Sequence, residues 1–149
     1  GKEPSKALRV DLRRSDLFSN VHSSSSLVFR GDVDKAAKWK EMGLDRLSCG
    51  IETLRKKVEA NGRTRFVLMV PPDKLTAYSP WVTNPALQKL SVLAELSKRH
   101  RVVMPRLDLA LTAAIDAGHP DVYLPNNTHW GIAGHLVAAR TLVEFMKKR

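Results

Sequence analysis

Cysteine is almost missing from this chain. Cys49 is the only one in 149 residues, which excludes an internal disulfide and any zinc site built from several cysteines. Long hydrophobic runs are missing too, and no stretch approaches the roughly 18 apolar residues that span a bilayer. No apolar segment follows the opening Gly1-Lys2-Glu3-Pro4-Ser5, so no signal peptide is legible there. A leading Gly in place of Met leaves targeting unread. Acidic side chains are scarce, with 15 Asp and Glu against 25 Lys and Arg and a formal net charge of +10.

That charge suits nucleic acid, an anionic polysaccharide or anionic lipid heads, or it serves only to solubilise the surface. The cations stand in short groups, Arg13-Arg14, Lys56-Lys57, Lys98 to Arg101 and Lys147 to Arg149. Most fall at the ends of expected helices, where positive charge favours the helix dipole. No basic strand carries the interleaved aromatics of RNA-binding sheets, so nucleic acid is the least favoured partner. An anionic glycan or a membrane-proximal setting fits the charge equally well.

With 43% hydrophobic and 27% charged residues, the chain has the composition of one globular core and is short for two domains. Residues 1–26 read as a polar arm ending in His22 and four serines. Leu27 to Phe29 reads as a short strand, and Asp34 to Glu41 as a short helix with Trp39 on its apolar side. Asp45 to Ala60 is expected as a helix, because Leu47, Ile51, Leu54 and Val58 repeat at four, three and four, and Asn61-Gly62 stops it. Arg65 to Val70 is β-rich and apolar almost throughout, the pattern of a strand buried on both faces, and it runs into the rigid turn Pro71-Pro72-Asp73-Lys74.

Asn84-Pro85 opens a further helix to Lys98. Arg101 to Met104 reads as a strand and Asp108 to Ala117 as a helix, with Asp108 as its N-cap. Val122 to Leu124 is a last strand before a Pro-Asn-Asn turn. A final helix is expected from Thr128, with Ile132, Leu136, Val137, Ala139, Val143 and Met146 on its buried face. The alternation predicts an α/β fold with a mostly parallel sheet covered by helices on both faces.

The corner around His129 draws the chemistry. It stands where a strand ends and a helix begins, the place where open α/β sheets build their sites. Asn127 and Thr128 are also good N-caps. Trp130 suits either an aromatic wall for a sugar ring or a plug in the core. Asp73 and Lys74 suit either a turn-forming acid beside a solvated lysine or the lining of a site. His135 follows His129 by six residues, nearly opposite on a helix, and the other histidines are isolated, so no metal is expected.

Pro125-Asn126-Asn127-Thr128-His129-Trp130-Gly131, followed by Gly134-His135, resembles the Asp-Thr-His-Trp … Gly signature of SGNH-hydrolase-like proteins. The similarity is to the branch related to alginate and cell-wall polysaccharide O-acetyltransferases. Val70-Pro71-Pro72-Asp73-Lys74 with Tyr78 downstream looks like that branch's Pro-Asp-Lys … Tyr turn. Met104 to Leu109 looks like the segment before the final motif. The resemblance covers roughly residues 27–146.

It implies a three-layer, flavodoxin-like (SGNH-type) fold, here a single domain over 1–149 or, with only four strands, a domain fragment. It implies acyl transfer to or from a sugar hydroxyl by a Ser-His-Asp triad. His129 would be the general base and Asn127 its orienting partner, with Trp130, Asp73, Lys74 and Tyr78 around a polysaccharide or other glycan substrate. No cofactor is implied, and the compartment would be periplasmic or extracytoplasmic. Two departures stand out. Asn127 replaces the family's Asp, and no Gly-Asp-Ser motif supplies the nucleophile, since Gly31-Asp32 is followed by Val33. The second expectation is therefore a catalytically silent module that binds polysaccharide through the same cleft.

Overall fold

The computed structural model describes residues 6–35, 38–39, 43–88, 91–99 and 102–148. Strand β1 (Ala7–Asp11) pairs antiparallel with β2 (Ser25–Phe29), Val10 lying opposite Ser26 and Leu8 opposite Val28. Leu8 and Val10 turn inward while Arg9 and Asp11 turn out, the period-2 alternation of a strand with one buried face. The segment expected as a polar arm thus contributes an edge of the core, and the loop after β1 buries Leu12, Leu17 and Phe18.

Helix α1 (Leu44–Glu59) follows the expected span to within a residue. Helix α2 (Lys74–Tyr78) is short and is capped by Asp73, whose carboxylate accepts from the Thr76 amide at 2.8 Å and the Thr76 hydroxyl at 3.0 Å. The helix expected over 84–98 is broken. A 3₁₀ turn over Pro85–Leu87 ends at Gln88, whose ψ of 129° is extended. Helix α3 (Val92–Ser97) then restarts behind its own cap, Ser91, while residues 89–90 lie outside the described set. Helix α4 (Leu107–Asp116) agrees with its expected span, but Asp108 lies in the first turn and is not the N-cap.

Helix α5 (Ile132–Lys147) starts four residues later than expected, behind Gly131. It packs on α4 and on the Val122 to Trp130 segment through Ala133, Gly134, Val137 and Ala138. The stripe expected to be buried is mostly exposed, with Ile132 82%, Leu136 52%, Val143 45% and Met146 50% accessible. A correct helical period fixed the spacing of that stripe but not which side meets the core. The helix expected over 34–41 falls largely on residues outside the described set; Trp39 packs against the second cluster below.

The expected three-layer parallel sheet is absent among the described residues: their one sheet has two strands, antiparallel. The runs 65–70 and 102–104 form no ladder. Val102 and Met104 instead join Leu44, Leu93 and Leu96 in a second apolar cluster, with Leu68 and Val70 partly buried against it. The expected burial on both faces fails as well, since no residue of 65–70 is fully buried and Met69 is 44% exposed: an apolar run fixes neither pairing nor depth. The first cluster is larger. It joins β1, β2, α2, α4 and the Val122-Tyr123 segment around Phe18, Tyr78, Leu111 and Ile115.

Candidate functional site

The corner that carries His129 is a tight hairpin. The Leu124 amide donates to the His129 carbonyl at 3.0 Å and the Gly131 amide to the Val122 carbonyl at 3.0 Å, with Tyr123 bridged to Trp130. The Asn127 amide closes the turn on the Leu124 carbonyl at 3.3 Å. The hairpin leaves the core through Asp121, whose φ of 53° is left-handed, a conformation that Asp tolerates better than most residues. Asp121 is pinned on both sides, its amide donating to Leu17 O and its Oδ1 accepting from Ser19 N, each at 3.1 Å.

Asn127 is not a helix cap. Its Oδ1 accepts from the His129 amide at 3.0 Å and also contacts the His129 Nδ1. An amide oxygen can only accept, so this contact favours the tautomer with hydrogen on Nδ1 and leaves Nε2 as a base. Both residues are exposed. Among the described residues no serine hydroxyl bonds to the His129 ring. Ser26, in the serine run, is 3% exposed and its hydroxyl has no hydrogen-bond partner in the protein.

Lys74 departs furthest from a solvated lysine. It is 1% exposed, and its ammonium donates to the carbonyls of Leu124 at 2.7 Å, Pro125 at 3.1 Å and Asn127 at 3.1 Å. Nζ also stands 4.9 Å from the Phe18 ring centroid, a cation–π distance. Burial pushes this ammonium down to about 8, against the opposing pull of the Asp121 carboxylate.

Tyr78 sits behind the hairpin at 1% exposure, and its hydroxyl accepts from the Tyr123 amide at 3.3 Å. Burial raises both phenols well above their ordinary value. Trp130 is half-buried, edge-on to Tyr123 at 6.4 Å and to His135 at 5.5 Å, which is the core-plug arrangement.

The six residues expected at the site therefore meet at one corner in two layers. Asn127 and His129 are outside. Lys74, Tyr78, Trp130 and the capping Asp73 form the support beneath. Sequence reasoning missed Tyr123 and Phe18, which join that support. Tyr123 stood in the Val-Tyr-Leu strand pattern, whereas nothing around Phe18 marked it. A cavity of about 170 Å³ opens beside the turn, with Leu27, Val28 and Phe29 on one side and Asn126, Asn127 and Thr128 on the other. No protein-family model, curated protein or solved structure matches the chain.

Proposed function

We propose that this corner is the base side of an acyl-transfer site acting on a glycan hydroxyl, as the resemblance to SGNH-hydrolase-like O-acetyltransferases and esterases implies. The observation that carries the reading is the contact of Asn127 Oδ1 with His129 Nδ1. An imidazole so oriented can take a proton from a hydroxyl at Nε2 and return it to a leaving oxygen. Asn127 orients the ring without supplying the charge that an Asp would give to the imidazolium. The exposure of both groups suits a polymeric substrate that approaches from solvent, and the net charge of +10 suits an anionic one. A periplasmic or extracytoplasmic setting belongs to the same proposal.

The second reading is a silent polysaccharide-binding module. It is favoured by one observation, that no described serine hydroxyl bonds to His129. A serine-directed fluorophosphonate separates the two. One labelled serine, with labelling lost in His129→Ala, supports the enzyme. Absence of labelling together with salt-dependent binding to an acidic glycan supports the module.

A further inference from the structure

Lys74 is a buried cation that the proposed base pair does not use, and its surroundings say what it is for. An ammonium has three N–H donors and no acceptor. Here three carbonyls, from Leu124, Pro125 and Asn127, lie within 3.1 Å of Nζ. The donors are used up, and at 1% exposure the group offers nothing to a substrate. All three carbonyls belong to the turn whose last member, Asn127, contacts the His129 ring. The stem of Lys74 is fixed as well, since it opens α2 directly behind the capping Asp73.

We propose that Lys74 is a positioning residue: its ammonium closes the 124–127 turn and so holds the Asn127 carboxamide on the His129 ring. The proposal rests on reading His129 as the base, and Lys74 acts only through Asn127. The groups around it are the Asp121 carboxylate at the start of the hairpin, the Phe18 face, and the Tyr78 and Tyr123 phenols close behind the hairpin. Both phenols are held neutral by burial. Deprotonation of Lys74 leaves an amine with two N–H groups for three carbonyls, so one carbonyl loses its donor. With the ammonium lowered to about 8, this loss falls in the mildly alkaline range.

The test is ¹⁵N NMR of the histidine rings in the full chain, as wild type and as Lys74→Met. In the wild type the neutral form of the His129 ring is expected to carry its hydrogen on Nδ1. Lys74→Met is expected to lower the ratio of that tautomer to the other by roughly five- to tenfold, the scale of one lost hydrogen bond. Leu96→Ala, which weakens the second cluster and not the one beneath the turn, should leave the ratio unchanged. The wild-type His129 signals should also change with a midpoint near pH 8, a step missing from Lys74→Met. If Lys74→Met does not fold, the wild-type titration alone decides, and His129 signals that stay flat from pH 7.5 to beyond the ordinary lysine value of 10.5 overturn the proposal. A folded Lys74→Met with the wild-type tautomer ratio overturns it too. A fixed tautomer without any acyl transfer would refute the catalytic reading and leave the positioning of His129 by Lys74 standing.

Discussion

Tyr123 donates its phenol hydrogen to the Pro72 carbonyl at 2.6 Å, while its own amide donates to the Tyr78 hydroxyl. This pair of bonds ties the His129 hairpin to the turn before α2, so the two motifs picked out in the sequence are held as one unit. Tyr123→Phe keeps the ring and removes one donor, leaving a buried carbonyl unpaired. The expected cost is about 1–2 kcal/mol of unfolding free energy. Tyr123→Ala, which also empties the core, should cost about 3–5 kcal/mol. Urea denaturation of the two variants checks the order.

Gly134 and Gly50 make a second pair. A Cβ at Gly134 would overlap the Val122 carbonyl oxygen and lie 3.1 Å from the Trp130 Cβ. Neither partner is free to move, because one is hairpin backbone and the other is packed on Tyr123. Gly134→Ala should destabilise by at least about 1–3 kcal/mol. Gly50 lies inside α1, and a methyl group there would meet nothing within 4 Å. Gly50→Ala should therefore stabilise by up to about 1 kcal/mol. Thermal melts of opposite sign are the expected result.

Two helices were legible for an identifiable reason, whereas the one expected over 84–98 is broken at Gln88. In α1 the apolar spacing of Leu47 and Ile51 and the following Asn61-Gly62 stop agreed, and in α4 an Ala- and Leu-rich run ended at Gly118. The strands were harder, because an apolar run such as Arg65 to Val70 fixes neither pairing nor depth, and here it forms no ladder and is only partly buried. Strand β1 carried the period-2 alternation of Leu8 and Val10, but the charged residues around them, Lys6, Arg9, Asp11, Arg13 and Arg14, masked it. At the candidate corner, the sequence singled out six residues that lie close together, and their layering was not legible. Whether Lys74 points to solvent or under a turn depends on contacts 50 residues away, which no local pattern encodes.

Helix α5 gives a direct contrast between pattern and packing. Leu136 is 52% exposed and Leu111 fully buried. Leu136→Ala should cost under about 1 kcal/mol, whereas Leu111→Ala should cost about 2–5 kcal/mol. Equal losses in chemical denaturation would mean that the outer face of α5 is covered.

The Arg106–Asp108 pair sets an acid limit. Burial alone would raise the Asp108 carboxyl, but the Arg106 guanidinium at 2.8 Å and a hydrogen bond from Ser91 outweigh it and hold the group below its ordinary value. A lowered carboxyl binds fewer protons folded than unfolded. Its contribution is therefore present above the ordinary value of 3.8 and is lost as pH falls through the lowered one. Asp108→Asn should flatten the decline in melting temperature below pH 4. Arg106→Met should cost about 2–3 kcal/mol near neutrality, less than for a fully buried pair because Arg106 is 30% exposed.

Lys74 works in the opposite direction. Its folded value of about 8 lies below the ordinary 10.5, so between those values the unfolded chain binds more protons. The contribution of this group to stability rises with pH across that window. Lys74→Met should remove the rise, which melting temperatures between pH 7.5 and pH 10 would reveal.

The central claim, that His129 is a base oriented by residue 127, is tested most directly by acetate release from an O-acetylated polysaccharide. Wild type, His129→Ala and Asn127→Asp should be compared at equal concentration. An aspartate at 127 would keep the contact and add the missing charge, so Asn127→Asp should exceed wild type, by up to about 10⁴. His129→Ala should release none. Release that is unchanged in His129→Ala, or absent from wild type and Asn127→Asp alike, would contradict the account.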